Sequence, residues 1–407
     1  MTQSLAAAAA FAPDAAPAAL PQRAAGLARV EVYSDPAAAA DLWDALAAAA
    51  PASAYQTRVW VAAWYATLGR AHGCRPLISV AYDAAGQAIG LLPLCVMNRG
   101  PLRLAEFAGG KDANYMFGLF APGVSWTADG LRRWLRETAR ATPGRLDLFA
   151  LVNQPESWNG IANSLRMLGG QASPVQGYCT ALLPDAEAFM KSKVSGPGRK
   201  KMRAKERKLA ELGDVRCFTA GNALDARRIL DAFHVQKAQR MTEMGVTNVF
   251  AEPAAEDFLE QGALDFAARG SGGIELHGLT LNDRVIATFG GAAHQGRFSG
   301  MFNSFDLDPG LTRHSSGEQL LSWLIQSKCR EGLRSFDLGV GEARYKETWC
   351  DAAEPLFDCY LPVSAAGWAL YAVKAGKRRL KGAIKHSAFG WRMVERVRQA
   401  RAALKRG

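Results

Sequence analysis

No stretch of this sequence reaches the roughly 18 consecutive apolar residues that a membrane-spanning helix needs, and no pair of its cysteines has CxxC spacing. The first absence argues against a helical membrane span, the second against a zinc ribbon or a redox dithiol. The seven cysteines (Cys74, Cys95, Cys179, Cys217, Cys329, Cys350 and Cys359) are scattered and odd in number. Such a set fits a reducing cytoplasm better than a secreted disulfide scaffold, so these residues are expected in the core. Early positive charge is missing too. No basic residue precedes Arg23, so the Ala- and Pro-rich opening lacks the n-region of a secretory signal. Residues 1–28 read as a disordered tail with too little to bury.

What is present is the composition of a soluble globular protein, 49% hydrophobic and 21% charged over 407 residues. That length is comfortable for two cores and too long for one. The net charge is +11 and is unevenly placed. From Lys374 onward there are twelve Lys or Arg and one acid, Glu395, so this segment alone carries the charge of the whole chain. A second block, Lys191 to Lys208, has nine Lys or Arg against Glu206. Such blocks attract phosphate-bearing partners or anionic membranes; a solvated helix face explains either block equally well.

Two halves show the same order of elements. In residues 29–183 the pattern gives a strand at 30–33, helices at 36–49 and 57–68, a hairpin of 77–82 and 88–97, a helix at 127–141, a strand at 145–151, a helix at 155–168 and a strand at 175–183. Trp60, Trp64 and Leu68 share one helical face, which marks them as core. Residues 184–213 form a basic linker in which Gly196-Pro197-Gly198 breaks the chain before a helix. Residues 214–362 repeat the order: a strand at 215–218, helices at 222–241 and 254–269, strands at 274–281 and 285–294 around the Asn282-Asp283 turn, a strand at 297–305, a helix at 316–330, and strands at 335–338 and 355–361. The fold class is therefore α/β (α+β) in layers, followed by a basic tail over 363–407.

The chemistry concentrates in two segments of the second half. Asp306-Leu-Asp-Pro-Gly310 turns the chain after a strand, and Arg313-His-Ser-Ser-Gly317 opens a helix. A helix start offers unpaired N–H groups to a phosphate; Ser315 or Ser316 would cap it, and Arg313 would add charge-assisted bonds. The other segment, Phe336-Asp-Leu-Gly-Val-Gly-Glu-Ala-Arg-Tyr-Lys-Glu-Thr-Trp349, lies at the carboxyl end of a strand, where α/β sheets bind ligands.

These segments, with the basic helix from Arg199 to Leu209, resemble the GNAT superfamily of acyltransferases. Within it they resemble the subfamily named after the cellulose-biosynthesis protein CelD, related to the FemAB aminoacyltransferases. The resemblance implies two tandem GNAT-like domains, 29–183 and 214–362, each a mainly antiparallel sheet flanked by helices. It also implies acyl-CoA, in particular acetyl-CoA, as co-substrate with no metal. Its pantetheine would lie along Arg297–Phe305 at Met301 and Asn303, and its pyrophosphate at Arg313, His314, Ser315, Ser316 and Gly317. The loop departs from the family's Arg/Gln-x-x-Gly-x-Gly/Ala: Arg313 to Gly317 spans one residue too many, and Gln319 stands where a small residue is usual. Acyl transfer needs a base for the acceptor and an acid for the leaving thiolate; Glu342 and Tyr345 are the candidates. Asp337 and Lys346, with Lys111, Asp112 and Asn114 from a Gly-rich loop of the first half, are candidates for the acceptor.

The expected function is transfer of an acyl group to an amine or hydroxyl of a small-molecule or saccharide acceptor, in polysaccharide or envelope biosynthesis. The alternatives are aminoacyl transfer from charged tRNA and a non-catalytic docking module. The first half, lacking a phosphate loop, is expected to be silent. Residues 370–406 interleave Trp391, Val394, Val397 and Leu404 with arginines, the make-up of an interfacial helix. A cytoplasmic protein, peripheral at an anionic membrane or docked on an envelope-synthesis complex, is expected, rather than a nucleic-acid binder.

Overall fold

The computed structural model describes residues 23–373. Strands β1 (Arg29–Tyr33), β2 (Arg75–Tyr82), β3 (Ala88–Arg99), β4 (Leu102–Phe107), β5 (Leu148–Pro155) and β6 (Gln171–Ala181) come from the first half. Strands β7 (Val215–Thr219), β8 (Glu275–Leu281), β9 (Arg284–His294), β10 (Arg297–Phe305), β11 (Ser335–Val340) and β12 (Ala352–Pro362) come from the second. All join one 13-stranded sheet along the path β7-β8-β9-β10-β11-β6-β12-β5-β4-β3-β2-β1, with the short Leu119–Phe120 pairing β3 off that path.

Each half contributes an antiparallel meander ending in a parallel pair, β4 with β5 and β10 with β11. The last strand of each half then crosses over. β6 pairs β11 of the second half, β12 pairs β5 of the first, and the two crossed strands pair each other antiparallel at the centre. The halves are thus built into one another's sheets.

Helices cover the faces: α1 (Ala40–Ala49), α2 (Arg58–Trp64), α3 (Ala128–Ala141), α4 (Ala186–Lys193), α5 (Gly196–Ala210), α6 (Ala223–Met244), α7 (Pro253–Arg269), α8 (Ser316–Arg330) and α9 (Arg344–Trp349). Trp60 and Trp64 are core residues, as expected, each 2% exposed. The Trp60 ring meets Phe258 of α7 edge-on, with centroids 5.4 Å apart. The large core therefore spans both halves.

Three local expectations are corrected, and two elements are new. Residues 155–168 are not a helix but a tiny hairpin, Ser157–Trp158 with Ile161–Ala162, then a 3₁₀ turn. The turn residues Asn159 and Gly160 have positive φ, which a helix does not accommodate. Gly196-Pro197-Gly198 does not break the chain before a helix; it opens α5, because Ser195 accepts from the Gly198 N–H and proline suits the first turn. Strand β4 and helix α9 were not anticipated. The tail expected over residues 1–28 is ordered from Arg23, which pairs with Val124 and forms an ion pair with Asp83 at 2.8 Å. The helix that starts at residue 365 runs to the last described residue; the basic tail from Lys374 lies outside the described residues, as do residues 1–22.

Candidate active site in the second half

Strands β10 and β11 run side by side only from Arg297↔Ser335 to Ser299↔Asp337, then part. Two features open the split. Met301 is an extra residue in β10, a bulge opposite Gly290-Gly291, and Gly339 and Gly341 take positive φ and lead β11 away. The Asn114 carboxamide fills the crotch. Its Nδ2 donates to the Gly300 carbonyl (3.1 Å) and to the Tyr55 hydroxyl (2.7 Å), and its Oδ1 accepts from the Val340 N–H (3.5 Å). A side-chain amide thus replaces the missing peptide rung. A Cβ on Gly339 would lie 2.7 Å from the Asn114 amide nitrogen, so only glycine allows this approach.

Beyond Asn114 lies a cleft of about 200 Å³. Its walls are Met301 and Asn303 of β10, Leu338 and Val340 of β11, and Phe250, Phe289 and Phe302; Lys237 of α6, Tyr345 and Lys346 complete it. Tyr345 is half-exposed; burial pushes its phenol above the usual tyrosine value, and a hydrogen bond from the Asn303 side chain opposes this. The Lys237 ammonium donates to the Asn303 carbonyl at 3.2 Å and lies near the rings of Phe233 and Phe250. Burial, then the neighbouring Arg240, pushes it below the usual lysine value.

At the outer end of β10, α8 begins at Ser316. Ser315 is left-handed (φ 57°), and contrary to expectation neither serine caps the helix. The Ser315 hydroxyl accepts from Lys205 of α5 at 2.6 Å, and the Ser316 hydroxyl donates back to the Ile286 carbonyl. The first N–H groups of α8 are left without a side-chain cap, beside Lys205 and the exposed Arg313. Glu318 in the first turn pairs with Lys205 at 3.8 Å, so an anion here would meet chiefly Arg313 and the uncapped N–H groups. His314 is buried, its Nε2 accepting from Arg313 Nε at 3.2 Å, and turns away from that role.

Several candidates from sequence are engaged elsewhere. Asp337 is fully buried, accepting from the Tyr115 hydroxyl (3.0 Å) and the Gly339 N–H (2.6 Å) and paired with Arg297 at 3.3 Å. Burial pushes its carboxyl up and Arg297 opposes that; it joins the halves rather than facing an acceptor. Lys346 spends its ammonium on the carbonyls of Gly339, Val340 and Gly341, at 2.9 to 3.1 Å. Asp112 accepts from the Trp64 indole at 3.0 Å, and Lys111 and Glu342 are exposed. None of these last three lines the cleft. Lys237 was missed. A signal for Lys237 existed: it stands four residues after Phe233, at the end of the buried stripe Ala226, Ile229, Leu230, Phe233.

The family model "Acetyltransferase (GNAT) domain" matches residues 197–347, the stretch that holds α5, the split strands and α8. Residues 197–347 thus resemble a GNAT acetyltransferase domain and share its fold. No curated protein matches the chain. Among solved structures it is similar to FemX (12% identity, covering 81% of this chain and 97% of that one, TM-score 0.56). It is likewise similar to a conserved protein of unknown function from Bacteroides thetaiotaomicron (10% identity, 82% and 100% coverage, TM-score 0.53). At such identities the likeness is one of fold, and it extends over both halves. Among the described residues no group of His, Cys, Asp or Glu is placed to hold a metal, and no helix is long and apolar enough to cross a membrane.

Proposed function

We propose that the GNAT domain transfers an acyl group from acyl-CoA to an amine or hydroxyl, with the donor laid along the open edge of β10. The observation that carries this reading is the split between β10 and β11, continuous with the uncapped start of α8. Lys205, Arg313 and the first N–H groups of α8 would hold the pyrophosphate, and the free edge at Met301 and Asn303 would take the pantetheine. When bound, the coenzyme supplies an activated thioester. Tyr345, hydrogen-bonded by the Asn303 side chain, would protonate the departing thiolate. Glu342, exposed on the Gly-rich turn three residues earlier, is the candidate for taking the acceptor's proton. His314, Ser315, Ser316 and Gly317 shape the loop.

Calorimetry with CoA tests this. Wild type should bind, and Arg313→Ala should weaken binding by about 1.5–3 kcal/mol, the scale of a charged hydrogen bond. Absence of CoA binding by wild type would refute the site.

One observation favours a second reading, aminoacyl transfer from charged tRNA. Lys200, Lys201, Arg203, Arg207 and Lys208 are exposed on α5 beside the site, a surface suited to a longer polyanion. Binding of tRNA that falls steeply with salt would support it.

The finer assignment, a CelD-like role on a saccharide or other envelope component, rests on the sequence resemblance. It accords with a cytoplasmic protein held at an anionic surface by residues 370–406. The exposed Trp368 and Val373 lie where that segment begins. Cosedimentation should show salt-sensitive binding to anionic vesicles and none to neutral ones; equal, negligible binding to both would remove the membrane role.

A further inference from the structure

The cleft is chemically one-sided. Apolar side chains stand beside donors and carbonyls in its lining, the surface left open is mostly polar, and among its described lining residues there is no carboxylate. Two ammonium groups reach it, but they are in different states. Lys346 has an acceptor for each of its three protons. Lys237 has one acceptor, the Asn303 carbonyl on the open edge of β10, at a long 3.2 Å. An ammonium carries three donors, so two remain for something else, in a half-buried place where an uncompensated charge is costly. Arg240 adds positive charge nearby, and no acid lines the cleft to offset it.

Such a place is suited to an anion. The space, about 200 Å³, is roughly the volume of seven waters. A short chain fits beside the Phe250, Phe289, Met301 and Leu338 side chains, and its charged end falls to Lys237. Resting on the acyl-transfer reading above, we propose that Lys237 binds the carboxylate of a substrate whose transferred or accepting group is a short chain ending in that carboxylate. The pair would be a charge-assisted hydrogen bond in a partly desolvated site, where such bonds are strongest. Lys237 then discriminates between ligands that a wholly apolar pocket would treat alike.

Two sources of the carboxylate are separable with the full chain. Calorimetry compares CoA, acetyl-CoA and succinyl-CoA on wild type, Lys237→Met and Lys237→Arg. If the acyl group carries the carboxylate, wild type binds succinyl-CoA at least about tenfold more tightly than acetyl-CoA. The preference vanishes in Lys237→Met and partly survives in Lys237→Arg, with CoA affinity and melting temperature unchanged. If the two thioesters bind wild type alike, the acceptor arm decides: with acetyl-CoA saturating, β-alanine should bind at least about tenfold more tightly than propylamine, with the same loss in Lys237→Met. No preference in either arm, or one that survives Lys237→Met, overturns the role of Lys237. Failure of wild type to bind CoA at all sinks the acyl-CoA reading and this assignment with it, whereas intact CoA binding without a carboxylate preference removes only the latter.

Discussion

The two halves hold the same parallel pair and treat it oppositely. In the second half β10 and β11 part after Ser299 and leave a cleft. In the first, β4 and β5 pair over Leu104–Glu106, and the space beyond is taken by the chain itself. The Met116 N–H donates to the Asn153 carbonyl at 3.1 Å, and the Gln56 side chain fixes the Tyr115 carbonyl at 2.9 Å. The helices that precede the fifth strands differ likewise. Thr127 caps α3 by accepting from the Gly130 N–H at 3.1 Å, with Asp129 in the first turn. The start of α8 has no such cap and has Lys205 beside it. Both starts carry an acid in the first turn, Asp129 and Glu318, but only the first is capped; at the second, Glu318 pairs with Lys205 at 3.8 Å and the N–H groups stay uncapped. The loop that plugs the first split also sends Asn114 to floor the second, so the half read as silent builds the site of the other.

The largest expected effect comes from cutting the ion pairs that tie the exchanged strand β12 back to its own half. Arg297 is 5% exposed, grips Glu354 of β12 at 2.9 and 2.6 Å, pairs with Asp337 and stacks over Trp158 at 3.9 Å. Arg297→Ala leaves the buried Asp337 carboxylate without its ion-pair partner and should cost about 3–5 kcal/mol of stability. A denaturation midpoint within error of wild type would show that the exchanged strands need no ionic clasp.

Next comes Tyr345→Phe, which should lower turnover about 10²-fold while CoA affinity holds. Unchanged turnover would return Tyr345 to a packing role. The smallest effect sharpens the contrast between helix starts. Thr127→Ala should cost about 1 kcal/mol of stability and leave CoA binding untouched, whereas Arg313→Ala should do the reverse. A loss of CoA affinity in Thr127→Ala would mean the first half is not silent.

Much of the site's frame is local and so was legible. Strand 297–305 and helix 316–330 are bounded by strong punctuation, the Asp-Leu-Asp-Pro-Gly turn and the Ser-Gly start, and the expected bounds match those observed. Asn282 and Asp283 form the expected tight turn with positive φ. Residues 155–168 misled because Trp158, Ile161, Leu165 and Leu168 fall three to four apart, the period of a helix. Asn159-Gly160 was the competing signal. The role of Asn114 was not legible, since its partner Gly300 is 186 residues away. Nor was the strand exchange, because no local pattern states which edge a strand will join. Asp337 and Lys346 carry the residue types of a binding site, but burial and backbone partners use them up.

The crossing of β6 and β12 reverses the usual order in which a chain finishes its parts. A domain emerging from the ribosome ordinarily completes its sheet once its own last strand is out. Here the inner edge of the first half, along β5, stays unpaired until Ala352–Pro362 has been synthesised. For nearly two hundred residues of translation the nascent chain therefore carries an open strand edge, the kind of surface that invites pairing with a foreign chain. The first half is made early and finished last.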